Sequence, residues 1–276
     1  MILVTGANGQ LATCLKETMK GAVFLTKENF DITSRSSIEN GIKLLTPKYI
    51  INCAAYTQVD RCEDETEQAE QANTLAPKYL AMSCKSHNIK LIHISTDYVF
   101  NGKKNTPYSE LDVTSPTSVY GQSKKDGEEN IINNCLDYII IRTSWLYSEF
   151  GVNFVSNIIK LMNTRKELGI VYDQIGSPTY APDLASAIQQ ITQHHFVPGI
   201  YHYANQGVTS WFDFTKEIQS IIGVHCDISP IESHEYPTKA IRPKYSVFNT
   251  NKIQETFNIK IPYWKESLQL CLKNLS

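Results

Sequence analysis

The chain reads as an α/β protein: a Rossmann-type doubly wound parallel sheet with a smaller C-terminal substrate-binding domain. Three observations predict this. Short apolar runs alternate with helical segments through the first half. The first run opens at once into a glycine turn, Gly6-Ala-Asn-Gly9. A tyrosine and a lysine then stand four residues apart in Tyr120-Gly-Gln-Ser-Lys124. Strand and helix alternation builds a parallel sheet with helices on both faces, and ligands gather at the carboxyl ends of its strands. The expected division is 1–148 for the dinucleotide-binding domain and 149–276 for a mainly substrate-binding domain, with some segments of the second returning to the first.

The expected strands are Ile2 to Thr5, Ala22 to Leu25, Tyr49 to Cys53, Lys90 to Ser95 and Tyr138 to Arg142. In the turn after the first, Gly6 permits a tight exit and Gly9 lets backbone approach a pyrophosphate. Small Ala12 lets the helix pack closely on the strand. Phosphates would meet the amides at that helix's start. The second strand ends in Leu25-Thr26-Lys27, where many NAD-binding sheets carry a carboxylate for the ribose 2′-hydroxyl. Lys27 suits a 2′-phosphate instead, which favours NADPH with NADH possible; a plain solvated lysine is the other reading. Further polar residues cluster after the third strand (Asn52 to Asp60), the fourth (Thr96-Asp97) and the fifth (Thr143 to Trp145). Beyond about residue 150 the pattern loosens into helices, short strands and turns.

In a helix, side chains at i and i+4 share a face. Lys124 can therefore stand beside Tyr120 and lower its phenol from about 10 toward working pH, where a general acid is most effective.

At 276 residues, 42% hydrophobic and net charge −2, the chain can bury a full core. No basic run points to nucleic acid, and no apolar stretch nears the roughly 20 residues of a membrane span. Ile2 to Val4 is too short for a secretory signal, so a cytoplasmic protein is expected. The seven cysteines, at 14, 53, 62, 84, 135, 226 and 271, are scattered without a C-x-x-C pair and read as reduced thiols. His194-His195 reads as a helix end, and no metal site is expected.

The residues Gly9-Gln-Leu, Asn52-Cys-Ala-Ala-Tyr-Thr-Gln-Val-Asp60, Ser95-Thr-Asp-Tyr-Val-Phe100, Tyr120 to Lys124, Arg142-Thr-Ser-Trp145 and Asp173-Gln-Ile-Gly-Ser-Pro178 together resemble the extended short-chain dehydrogenase/reductase family over nearly the whole chain. The Ser-Thr-Asp-Tyr-Val-Phe and Arg-Thr-Ser-Trp elements point to its sugar-nucleotide reductase branch. That resemblance implies reduction of the C4 ketone of a dTDP-sugar, dTDP-4-dehydro-6-deoxy-L-mannose, with a nicotinamide supplying hydride. Tyr120 would protonate the forming alkoxide, Thr96 would hydrogen-bond the same oxygen, and Lys124 would favour the ionised phenol and grip the cofactor ribose. Ser95 is the competing hydroxyl beside Thr96.

Cofactor contacts are then expected from Gly6, Gly9, Gln10 and Leu11 at the pyrophosphate, Lys27, Asp31 and Ile32 at the adenosine, and Ala54, Ala55 and Tyr56 at the nicotinamide half. Substrate contacts are expected from Thr57, Val59, Thr96, Asp97 and Trp145 around the hexose and from Arg242 at the diphosphate. Trp145 as a core residue is the other reading. Trp211, Phe212, Tyr201 and Tyr203 read as packing residues.

Some members of the family dimerise around magnesium held by glutamates. Here the corresponding place is Cys14, with Glu17 a turn later, so a monomer or a dimer not built on magnesium is expected. The alternatives are a reductase of another 4-keto-6-deoxy sugar nucleotide, with dTDP, UDP and GDP open on the residues alone, and a non-catalytic regulatory subunit such as that of methionine adenosyltransferase.

Overall fold

The computed structural model describes residues 1–275. Its first half runs β1 (Ile2–Thr5), α1 (Gln10–Thr18), β2 (Val23–Leu25), α2 (Arg35–Leu45), β3 (Tyr49–Asn52), α3 (Val59–Cys62), α4 (Thr66–Glu70), a π-helical turn (Gln71–Leu75), α5 (Ala76–His87), β4 (Lys90–Thr96), a 3-10 turn (Asp97–Val99), α6 (Val119–Asn134) and β5 (Tyr138–Thr143). The second half runs β6 (Leu146–Tyr147), α7 (Phe154–Thr164), β7 (Glu167–Val171), β8 (Ile175–Gly176), β9 (Thr179–Tyr180), α8 (Ala181–Gln193), β10 (Gly199–Tyr203), β11 (Thr209–Ser210), α9 (Trp211–Ile222), β12 (Asp227–Ile231), a 3-10 turn (Ser233–Glu235), α10 (Asn251–Phe257) and α11 (Trp264–Leu275).

All five expected strands form, with ends moved by one residue. They lie in one six-stranded sheet in the order β10-β5-β4-β3-β1-β2, every neighbouring pair parallel. The order reverses between β1 and β3, and that switch point opens a crevice at the carboxyl ends of the strands. The sixth strand, β10, comes from the second half and pairs with β5.

Period-two alternation explains why the sheet is covered on both faces. Val4, Ile51, Ile92 and Ile141 point toward α1, α8 and α10, where they meet Leu15, Leu184 and Phe257. Leu3, Ile50, Leu91 and Ile140 point the other way, onto Ile38 and Ile42 of α2, Leu80 of α5 and Ile131 of α6. Each such side chain contributes roughly 1.5–3 kcal/mol by leaving water. Tyr201 and Tyr203 of β10 are buried in the first of these cores. A separate core in the second half gathers Tyr147, Ile158, Phe214, Trp264 and Leu268 from β6, α7, α9 and α11. Three small two-stranded sheets, β11 with β8, β12 with β7 and β6 with β9, stitch this half together.

Among the described residues no helix is long and apolar enough to cross a membrane. All seven cysteines are unpaired.

Candidate active site

The glycine turn is built as its residue types demand. Gly6 has φ +69°, and a Cβ there would stand 2.8 Å from the Ala54 backbone, so β1 and the loop after β3 touch through the glycine. Gly9 opens α1 in an extended conformation, and no side chain caps the helix. The first-turn amides and the helix dipole are thereby left for an anion. Beside them lies a groove of about 350 Å³ lined by the Gly6 to Gly9 turn, Thr26 to Glu28, Phe30 to Thr33 and Cys53 to Tyr56. A second groove of about 440 Å³ continues it and shares Lys27, Thr33, Tyr56 and Ala72.

Gly6, Gly9, Lys27, Asp31, Ile32, Ala54, Ala55 and Tyr56 therefore converge on one crevice. Gln10 and Leu11 follow Gly9 at the start of α1 but are not among the residues that line the grooves. The Leu11 side chain is buried in the core. The Gln10 carboxamide donates to Leu146 O at 3.2 Å and accepts from Ser148 Oγ and Asn153 Nδ2, each at 2.9 Å, so it ties α1 to the second half. The Asp31 carboxylate accepts from Thr33 N at 2.9 Å and Thr33 Oγ1 at 2.7 Å. Burial pushes that carboxyl up, but these hydrogen bonds and Lys27 outweigh it and hold it below its ordinary value. Asn73 pins the loop at Tyr56, accepting from Tyr56 N at 2.9 Å and donating to Tyr56 O at 3.0 Å and Ser123 Oγ at 3.1 Å.

Tyr120 and Lys124 sit in the first two turns of α6, which Ser118 caps by accepting from Gly121 N at 3.1 Å. Both are buried. The Tyr120 ring packs with Val59, Tyr56 and Cys62, and edge-on against Tyr98 at 5.4 Å between centroids. Burial pushes its phenol well above the ordinary value; the nearby Thr96 hydroxyl offsets part of this, and Asp97 and Cys62 add to it. Thr96 is thus the hydroxyl at the phenol, whereas the Ser95 hydroxyl is buried without a hydrogen-bond partner.

One expectation is corrected here. The shared helical face does not lower the phenol toward working pH. Lys124 Nζ turns to β4, donating to Ile94 O at 2.7 Å and lying 3.3 Å from His93 Nε2. Burial pushes the amine down to about 8, against Glu128 and Cys53, which act to raise it. In this geometry desolvation, not Lys124, decides the phenol's direction.

Thr96 Oγ1 donates to Asp97 Oδ1 at 3.0 Å, and Ser246 also hydrogen-bonds that carboxyl. Burial nevertheless pushes Asp97 up to about 6. Thr57 is exposed on the loop before α3. Trp145 takes φ +48°, a conformation that bulky residues rarely adopt. It lies flat on Trp211 with centroids 3.5 Å apart, over Gly176, where a Cβ would collide with the indole. Arg242 forms a bidentate pair with Asp60 of α3, at 3.0 and 2.6 Å, which draws α3 to the second half.

Sequence reasoning missed His93, the Trp211 platform and the Asp60 partner of Arg242. His93 was signalled only as a polar residue inside an apolar strand; the other two pairings join distant parts of the chain. Among the described residues no group of three or more His, Cys, Asp or Glu side chains could hold a metal.

The RmlD substrate binding domain family matches residues 1–276. The chain belongs to the RmlD family. It is 41% identical over 279 residues to the spore coat polysaccharide biosynthesis protein SpsK of Bacillus subtilis, covering 100% of this chain and 98% of that protein. It is 39% identical to the dTDP-4-dehydrorhamnose reductase of Sinorhizobium fredii, over 96% of this chain and 94% of the relative. Among solved structures, the dTDP-4-dehydrorhamnose reductase of Bacillus anthracis in complex with NADP superposes with a TM-score of 0.96 at 37% identity, covering 99% of this chain and 98% of that one. The superposition on that reductase agrees with the Rossmann-like parallel sheet.

Proposed function

We propose that the protein reduces the C4 ketone of dTDP-4-dehydro-6-deoxy-L-mannose to give dTDP-L-rhamnose, with NADPH as hydride donor. The observation that carries this reading is the meeting of the Tyr120 phenol with the Thr96 hydroxyl at the end of β4, beside a dinucleotide crevice. The chain also resembles named dTDP-4-dehydrorhamnose reductases along almost all of its length.

The crevice fits a dinucleotide: the glycine turn admits close backbone approach, and the uncapped α1 offers amides to a pyrophosphate. Gly6, Gly9 and the amides of Gln10 and Leu11 would hold the pyrophosphate. Lys27, Asp31 and Ile32 would hold the adenosine, and Ala54, Ala55, Tyr56 and Lys124 the nicotinamide half. The bound nicotinamide supplies hydride. Lys27 supports NADPH, since it lines both grooves where a 2′-phosphate would lie.

Hydride addition turns the carbonyl oxygen into an alkoxide. Tyr120 donates the proton that neutralises it, and Thr96 Oγ1 stabilises the same oxygen. In the structure the single Thr96 proton goes to Asp97 Oδ1, so the hydroxyl rotates from Asp97 to the substrate oxygen as the alkoxide forms. Trp145, held flat by Trp211, offers an indole face to the 6-deoxy side of the hexose, and Thr57 and Val59 complete the hexose contacts. Arg242 turns from Asp60 toward the diphosphate when substrate arrives. The protein works in the cytoplasm as a monomer or a dimer not built on magnesium, because Cys14 is buried and its thiol is pushed up to about 12, a poor ligand for a hard cation.

The test follows nicotinamide absorbance with the purified protein, dTDP-4-dehydro-6-deoxy-L-mannose and NADPH or NADH in turn. Oxidation of NADPH in preference to NADH is expected. Cofactor binding without oxidation overturns the substrate, and a panel of other 4-keto sugar nucleotides then separates another reductase from a regulatory subunit.

A further inference from the structure

Four side chains on four elements make one buried run of hydrogen bonds beneath the crevice: Thr5 of β1, Asn52 of β3, His93 of β4 and Lys124 of α6. Its direction can be read atom by atom. Thr5 Oγ1 donates to Asn52 Oδ1 at 2.6 Å, and Ala54 N donates to the same oxygen at 3.3 Å. Two donors on one oxygen fix the carboxamide, so Asn52 Nδ2 is the atom 2.9 Å from His93 Nδ1. An amide nitrogen only donates, so Nδ1 accepts and the proton of a neutral imidazole lies on Nε2. That N–H faces Lys124 Nζ at 3.3 Å. An ammonium has no lone pair to receive it, whereas a neutral amine has one. Nζ meanwhile donates to Ile94 O at 2.7 Å, which either form can do.

We propose that His93 is a positioning residue for Lys124: held by Asn52 as the Nε2–H tautomer, it donates to the uncharged amine and sets the pH at which Lys124 takes up its proton. The inference rests on reading Lys124 as part of the reductase site. A lysine that titrates near working pH can pass a proton during turnover, whereas one at about 10.4 stays charged throughout.

Other groups facing Nζ act the opposite way. Glu128, one turn along α6 and paired with Arg142 of β5 at 2.6 Å, favours the ammonium, as does Cys53 after β3. Burial outweighs them. The imidazole does not answer by charging itself, because burial and the neighbouring Lys124 hold His93 well below its ordinary range.

Two measurements test this. In the first, the pH profile of kcat/KM is compared between wild type and His93→Gln, whose amide oxygen can accept from an ammonium. The limb belonging to Lys124 should move up by about one pH unit. A variant that only lowers melting temperature, with the limb unmoved, gives His93 a structural role and overturns the proposal. In the second, ¹⁵N-histidine spectra of the intact wild-type protein are recorded from about pH 6 to about pH 10. A neutral Nε2–H tautomer is expected throughout, with an inflection that vanishes in Lys124→Met. An Nδ1–H tautomer or an imidazolium overturns it. The spectra need no turnover, so an incorrect substrate assignment would fail in the absorbance assay while leaving this result standing.

Discussion

Tyr120 is a phenol that must release a proton from a site where burial holds it protonated. The structure thus supplies the acid in its loaded form, and Thr96, which gives its proton to Asp97 at rest, can turn that proton to the charged oxygen. Tyr120→Phe removes only the hydroxyl, so turnover should fall by about 10²-fold or more while NADPH affinity stays within about twofold. Steady-state rates and a cofactor titration check this together. Lys27→Ala should weaken NADPH about tenfold and NADH hardly at all; equal losses in a binding titration would remove Lys27 from the phosphate position. Asp97 gives a pH signature. Its folded pKa of about 6 lies above the ordinary 3.8, so the folded state binds the proton more tightly. The stability this contributes is complete below about pH 4 and is lost as pH rises through about 6. Denaturant unfolding across that window should show a decline of roughly 2–3 kcal/mol that Asp97→Asn lacks. Thr96 was expected only from the family resemblance, whereas the pairing of Tyr120 and Lys124 on one helix was legible because their spacing is local. The partner of Lys124 was not, since helical phase gives a side chain's face and not how far it reaches, and His93 lies 31 residues away on another element.

At the scale of elements, α6 carries the site, and its placement depends on two close backbone approaches. A Cβ at Gly121 would stand 2.2 Å from Tyr98 O, and one at Gly127 would stand 2.1 Å from Asn73 O. Gly121→Ala should therefore push α6 off the turn after β4, lowering stability by about 2 kcal/mol and displacing Tyr120, so that melting temperature and kcat fall together. Gly21 is the control, because a Cβ there meets nothing within 4 Å; Gly21→Ala should leave both unchanged. Apolar runs such as Ile2 to Thr5 and Tyr138 to Arg142 were legible as strands because buried parallel strands are nearly continuous in apolar residues. The glycines in α6 were not legible as packing points, since the surfaces they meet come from Tyr98 and from the π-helical turn around Asn73.

At the scale of the whole molecule, the two halves are joined through long-range side-chain hydrogen bonds and an ion pair. Gln10 links α1 to the segment after β5, and Arg242 links the second half to Asp60 before α4. Arg242 and Asp60 are 182 residues apart, so no local pattern could pair them. The sheet order was legible in outline because alternating strands and helices admit few topologies. A return of some second-half segment was expected, but not that β10 is that segment, because Tyr201 and Tyr203 announce an aromatic strand face without naming its neighbour. The central claim is that hydride passes to C4 of the sugar in this crevice. The most direct measurement gives the protein dTDP-4-dehydro-6-deoxy-L-mannose and NADPH deuterated at both nicotinamide C4 positions, then reads the product by NMR. The account predicts dTDP-L-rhamnose with deuterium at sugar C4; a product without that deuterium, or sugar recovered unreduced with the cofactor bound, would contradict it.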